Sequence, residues 1–292
     1  MNKFKGFLFG MTASSTFGLL PLFTLPIMSE GLTTNSILCY RMLFASALVA
    51  VLMQVRKIAF RTNLKELLWF AFLGFFYYGS ASLLFQAYGT MSSGMATTLH
   101  FLYPVGVTLI MALVFKQRPS PFTILAIILG LSGVALLSLK EGGGSSSASL
   151  VGILLVLLSG LSYAAYLVTM NNVRRVRESN NLKLTLYVLI FSALFFLLDT
   201  SLSGGLQMIP SGRALTNLLL LAFLPTLVSN LALVRAVKSI GSTLTSVLGA
   251  MEPLTAIVIG VVVFGEEVTG PMALGILLIL LSVTIIVLSP LL

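Results

Sequence analysis

Ser93-Gly94-Met95-Ala96-Thr97-Thr98-Leu99-His100-Phe101-Leu102-Tyr103-Pro104 returns, 149 positions later, as Ser242-Thr243-Leu244-Thr245-Ser246-Val247-Leu248-Gly249-Ala250-Met251-Glu252-Pro253. Few residues are identical: Ser93/Ser242, Leu99/Leu248 and Pro104/Pro253, then Phe115/Phe264 at the end of the apolar run that follows each copy. What repeats is a plan. Small and hydroxyl residues lead to a polar side chain beside a proline, and pure hydrocarbon follows. Self-similarity at a fixed offset is the first signature of architecture. Here the offset is half the chain, so the reading is a duplication.

Composition sets the solvent. Of 292 residues, 58% are hydrophobic and 9% charged, and mean hydropathy is +1.07. Soluble domains carry about 25% charged residues. This chain cannot cover a water-facing surface, so it reads as an integral membrane protein. The net charge of +9 does not point to nucleic acid, because no basic stripe carries interleaved aromatics. The lone Cys39 excludes an internal disulfide and a multi-cysteine metal site. One histidine, with no HExxH, CxxC or GxxxxGK[ST], gives no reason to expect a metal, cofactor or nucleotide.

A spanning helix needs about 20 mostly apolar residues. Cutting at polar, Gly and Pro clusters gives ten spans: Phe4–Met28, Thr34–Val55, Leu67–Thr90, Ser93–Phe115, Pro121–Leu139, Leu150–Met170, Leu184–Leu202, Leu215–Val237, Ser242–Phe264 and Gly270–Leu288. The start, Met1 to Lys5 and then an apolar run, has the form of a signal peptide. Its removal would leave nine spans and spoil the duplication, so it reads as an uncleaved first span. With the N-terminus inside, 14 of the 17 lysines and arginines fall in cytoplasmic segments, against Lys140 and Arg213 outside and Arg41 within a span. The positive-inside rule then puts both termini in the cytoplasm.

The halves, 1–140 and 150–292, meet at a Gly/Ser linker, 141–149, flexible by composition. Five spans per half is odd, so the second half lies upside down relative to the first. Lys116-Gln117-Arg118 after the fourth span and Gly265-Glu266-Glu267 after the ninth occupy one repeat position. It is basic inside and acidic outside, as inversion requires. Inverted repeats with a site near the midplane recur in secondary transporters.

Ten spans in two halves, with Met251-Glu252-Pro253 and Val263-Phe264-Gly265-Glu266 in the ninth, resemble the drug/metabolite transporter superfamily, and within it the EamA-type exporters. Arg41, Ala87-Tyr88 and Phe101-Leu102-Tyr103-Pro104 also look like family positions; Lys116-Gln117 departs from the Gly-Glu of the second half. The resemblance implies a central cavity between the halves that opens alternately to each side. It also implies small organic solutes such as amino acids or metabolites. The expected fold is therefore all-α integral membrane, ten transmembrane helices in two inverted five-helix repeats around a central cavity.

An ionisable group inside a bilayer costs about 2.5–3.5 kcal/mol at a helix centre, so it marks a site by default. Glu252 lies about 15 Å along the ninth span at about 1.5 Å per residue, near the midplane. It is the candidate for proton coupling or for a substrate amine; the structural alternative is a carboxyl bonded to backbone freed by Pro253. His100 is a candidate proton carrier, or a neutral histidine donating to a neighbouring carbonyl. Arg41 can clamp a carboxylate, snorkel to headgroups or pin its helix. Tyr103 is the repeat partner of Glu252 and is expected to face the same cavity. Tyr163 and Tyr166, three apart, share a helix face, and Asn230 adds an amide. The interfacial aromatic belt is expected to claim Tyr77 or Tyr78, and Trp69. Glu266 and Glu267 read as caps of the tenth span and Asp199 as interfacial. Pro21, Pro26, Pro104, Pro225 and Pro253 fall in or at the ends of spans, with Pro104 and Pro253 as expected hinges.

Two other functions are open to the sequence. Gly130-Leu131-Ser132-Gly133 matches a GxSG protease pattern with His100 as base; the same small residues also allow close helix packing. A passive channel would need a filter or charge ring, and neither is visible. The reading is a non-enzymatic secondary transporter of the inner or plasma membrane. It moves a small amphipathic solute, most often outward in EamA-type relatives. It works as a monomer or homodimer in the lipid bilayer, without nucleic acid.

Overall fold

The computed structural model describes residues 3–87, 90, 96, 99–138, 150–264 and 270–288. Among these residues the chain is helical and has no strand. The linker at 141–149, Tyr88, the Ser93–Met95 turn and Gly265-Glu266-Glu267 lie outside them.

The first expected span is two helices, α1 (Lys3–Phe17) and α2 (Leu20–Ser29). They are followed by α3 (Thr34–Val55), α4 (Leu64–Ala87), α5 (Tyr103–Leu113) and α6 (Pro121–Ser138). The second half holds α7 (Leu150–Asn172), a short α8 (Arg174–Glu178), α9 (Asn181–Leu202) and α10 (Gly212–Ala222). A π-helical turn, Phe223–Val228, joins α10 to α11 (Ser229–Leu248); α12 (Met251–Phe264) and α13 (Gly270–Leu288) follow. Six stretches are long and apolar enough to cross a membrane: Lys3–Ser29, Thr34–Val55, Leu64–Ala87, Leu150–Asn172, Asn181–Leu202 and Gly212–Leu248. The helices α5, α6, α12 and α13 are shorter apolar ones. Large apolar side chains such as Leu68, Ile128, Leu198 and Val262 stand exposed around the outside, where a bilayer would cover them.

The fourth and ninth spans are broken where their sequences correspond. Residues 99–100 are helical, Phe101 and Leu102 form a turn, and α5 restarts at Tyr103. In the second half α11 ends at Leu248, Gly249 and Ala250 turn, and α12 restarts at Met251. Pro104 and Pro253 therefore do not sit mid-helix. Pro21 and Pro104 occupy the first positions of α2 and α5, and Pro253 lies in the first turn of α12. A missing N–H does no harm there, because the first turn has no carbonyl to bond it. Pro26 alone lies within a helix body, and Pro225 sits in the π turn. Between the eighth and ninth spans the chain reverses at Gly241, at φ +85°, ψ 167°. A side chain would be strained in that backbone conformation.

The main core joins both halves, through Met42, Phe70, Tyr103, Tyr166, Leu189 and Val247. The packed helix pairs are α1 with α11, α4 with α7, α9 with α3 and α4, α5 with α7, α10 with α3, α12 with α1, and α6 with α13. The last pair is held close by small residues. A Cβ on Gly133 would stand 2.8 Å from the Gly275 carbonyl oxygen, and Ser282 donates to the Ala126 carbonyl at 2.6 Å. Ser132, between Gly130 and Gly133, is exposed. The GxSG pattern is thus accounted for by helix packing.

Candidate functional site

The broken helices meet at a narrow central cavity. Tyr77 of α4, Tyr103 of α5 and Tyr163 of α7 form one wall. Asn230 and Thr245 of α11 and Glu252 of α12 face it with polar groups, and Phe17 ends α1 at its rim. The space free of atoms is about 390 Å³. It is pinched, leaving room for about one water molecule, so a larger solute must open it.

The local sequence explains why these side chains arrive together. Gly18 breaks the first span against the start of α12; a Cβ there would overlap the Glu252 carbonyl and come within 2.7 Å of Thr255. Gly249 does the same in the second half. The Tyr103 hydroxyl lies against its Cα, and any side chain at 249 would occupy the same place. The aromatic side is a continuous run of ring contacts, edge-on between Tyr103 and Tyr163 and stacked between Tyr163 and Tyr166. Ring centroids are 4.8 Å apart for Tyr103–Tyr163, 5.9 Å for Tyr163–Tyr166 and 5.4 Å for Tyr77–Tyr166.

Arg41 stands behind this wall, only 3% exposed. Its Nε donates to Thr226 Oγ1 at 2.6 Å, and its guanidinium lies 5.1 Å from the centre of the Phe17 ring. Nη2 has no hydrogen-bond partner among the described residues. The snorkelling alternative is therefore replaced by an inward, buried arginine. The π turn makes the contact possible. Such turns mark sites of local rearrangement in helices. This one lets Thr226 Oγ1 donate to the Leu221 carbonyl at 2.8 Å while accepting from Arg41. The Thr226 carbonyl accepts from Asn230 Nδ2 at 2.8 Å, and the same amide lies 3.2 Å from the Tyr77 hydroxyl. A single polar chain thus links Arg41, Thr226, Asn230 and Tyr77.

His100 is elsewhere. Its Nδ1 is 3.0 Å from Ser159 Oγ, and that hydroxyl donates to the Ser80 carbonyl at 2.5 Å. A serine has one hydrogen to give, so Ser159 must accept from His100. This fixes the Nδ1–H form of the ring. His100, just before the turn that leads into α5, ties that stretch to α7 and, through Ser159, to α4, beside Tyr103 and Tyr163 at 5.7 and 6.1 Å between centroids. It is not among the residues lining the cavity. The partner is a serine side chain, not the backbone carbonyl expected for a structural histidine.

Of the sequence candidates, Glu252, Tyr103, Tyr163 and Asn230 line the cavity, Arg41 and Tyr166 support it, and His100 stands to one side. Tyr77, expected at least in part for the interfacial belt, is 6% exposed and belongs to the cavity. Thr226, Ser229 and Thr245 had no signal beyond being hydroxyls in apolar spans. No group of three or more His, Cys, Asp or Glu that could hold a metal is found among the described residues.

Comparison with known proteins bears on the fold and the family. A protein of known crystal structure superposes with a TM-score of 0.82 over 96% of this chain and 95% of its own, at 20% identity; that likeness speaks for the fold alone. The uncharacterized transporter YcxC of Bacillus subtilis is 31% identical over 167 residues, which are 55% of this chain and 49% of that protein. The match thus spans about half the length of the relative. The model of the EamA-like transporter family matches twice, at residues 4–139 and 150–288. With both halves matched and apolar helices long enough to span a bilayer, this chain is a multi-pass membrane protein and belongs to the EamA-like transporter family.

Proposed function

We propose that the chain is a secondary carrier that moves a small amphipathic solute, such as an amino acid or a drug, outward across the inner or plasma membrane by alternating access. The observation that carries the reading is the central cavity. It is walled by tyrosines, faced by one carboxyl, and bounded by helices of both halves that break at corresponding positions. Glu252 is the group that exchanges protons or meets a substrate amine. Tyr103, Tyr163 and Asn230 orient the solute. Arg41, held on Thr226, sets the field around them.

Ten spans in two inverted halves, with cytoplasmic termini, complete the proposal. The packing supports a twofold relation between the halves. Exchanging each span for its counterpart five places on turns the α1–α11 pair into α7–α4, α5–α7 into α12–α1, and α9–α4 into α3–α10, and each of these pairs is packed. The α3–α9 and α6–α13 pairs map onto themselves. An odd number of spans per half makes the relation inverted. The pinched cavity corresponds to a closed stage of the cycle, and the breaks beside Pro104 and Pro253 are where the halves would bend.

The test is uptake into liposomes by purified protein, with a panel of labelled amino acids and amphiphilic amines, with and without an imposed pH gradient. Saturable uptake of one class, accelerated by the gradient, supports a proton-linked carrier. Flux of every solute in proportion to concentration would support a channel instead.

A further inference from the structure

A second, roomier cavity, with about 600 Å³ free of atoms, opens between the α5–α6 connection and the Gly241 reversal of α11. By the distribution of lysine and arginine this is the cytoplasmic side. Three helices connect it to the central cavity. On α5, Tyr103 faces the central cavity and Met111 the outer one, with fully buried Val107 between them. On α7, Tyr163 and Leu167 line the first and Asn171 the second. Steps of four residues keep each set on one helix face. On α11, Thr245 faces the centre and Ser242, one turn away, the outer cavity. The two cavities therefore lie on one line, and Val107, Met111 and Leu167 close the gap.

The outer cavity has a distinct charge. Arg118 is the charged residue among those lining it, and none of them is acidic. Its backbone is held in place. Gln117 N–H donates to the Met111 carbonyl at 3.0 Å, and Ser120 Oγ accepts from Thr123 N–H at 3.1 Å at the start of α6. Asn171 and Thr243 offer neutral donors. Ser242, fully buried in the wall, carries a hydroxyl with no hydrogen-bond partner among the described residues. A buried donor left unmade is costly; at 0% exposure it is out of reach of the cavity contents until the wall opens.

We propose that this cavity is the cytoplasmic mouth of the transport path and that it admits solutes bearing a negative group, a carboxylate or phosphate, drawn in by Arg118. Its role as a mouth rests on the carrier reading; its anion preference does not.

The test needs no transport assay. Thr243→Cys is made with buried Cys39 left in place, and the labelling of the parent protein is subtracted. The protein is placed in nanodiscs of neutral phosphatidylcholine. Modification rates are compared for an anionic sulfonatoethyl and a cationic trimethylammonium-ethyl thiosulfonate, each relative to a free thiol. A unit charge several Å away, partly screened, favours the anionic reagent by about 3- to 10-fold. Arg118→Gln removes most of that preference, and inorganic phosphate slows the anionic reagent. Asn171→Cys serves as a second position if Thr243→Cys does not fold. Equal or cation-favouring rates, no effect of Arg118→Gln, or no modification at either position would overturn the proposal. Protection that appears only when acidic lipid is added would assign the cavity to headgroups and overturn it as a solute mouth. Failure of transport with the anion preference intact would instead count against the carrier reading.

Discussion

Gly249 is the position where adding one methyl group asks the most of the central site. A Cβ there would overlap the Tyr103 hydroxyl, and it would stand 2.9 Å from Tyr103 Cζ and 2.8 Å from the Ser246 carbonyl oxygen. The ring has little room to retreat. Tyr163 packs edge-on against it at 4.8 Å, and the backbone of Gly160 lies close behind its Cβ. Overpacking of a filled site costs about 1–3 kcal/mol, so Gly249→Ala should lower the melting temperature by about 2–4 °C for each kcal/mol. Tyr103→Phe removes the overlapping oxygen but leaves Cζ at 2.9 Å, so it should restore part of the loss. A double-mutant cycle should then give a coupling of about 1 kcal/mol. The assay is thermal unfolding of purified protein in one detergent, followed by tyrosine and Trp69 fluorescence. If Gly249→Ala melts with the parent, or if Tyr103→Phe changes nothing in its background, Tyr103 does not reach the break of the second half.

Three further outcomes follow from the same geometry. Thr226→Val deletes the acceptor of the Arg41 Nε bond and should destabilise by about 1.5–3 kcal/mol, the range for bonds to charged groups; Thr226→Ser should keep most of the stability, and denaturant midpoints decide. Gly133→Ala places a methyl 2.8 Å from the backbone oxygen of Gly275, which cannot rotate away, so it should cost about 1–3 kcal/mol, whereas a change at exposed Ser132 should cost little. Glu252→Gln keeps the shape of the side chain and removes its proton exchange; uptake of the preferred solute should lose its dependence on pH between about pH 5.5 and pH 8, and parent-like rates across that range would remove Glu252 as the proton site.

The helical membrane class was legible in the sequence, because hydropathy is a local signal. Pro104 and Pro253 marked the neighbourhood of the breaks but were expected as hinges within continuous spans, whereas the helices stop before them and restart at Tyr103 and Met251. Helix rotation is not local. The run Trp69-Phe70-Ala71-Phe72-Leu73-Gly74-Phe75-Phe76-Tyr77-Tyr78 is apolar on every face, so nothing in it tells that Tyr77 turns inward. The π turn is hidden for the same reason. Its extra residue is stabilised by Thr226 meeting Arg41, 185 positions earlier. His100 shows the limit from the other direction: its helix is right, but its ring is engaged by Ser159 of α7.

The most direct test of a carrier is counterflow. Liposomes containing the protein are loaded with unlabelled solute, diluted, and given a trace of the same solute with label. A site exposed to one side at a time carries label inward as unlabelled solute leaves, so label should accumulate transiently above its equilibrium level and then decay. A path open to both sides at once would show only a smooth approach to equilibrium, and that result would contradict alternating access through the central cavity.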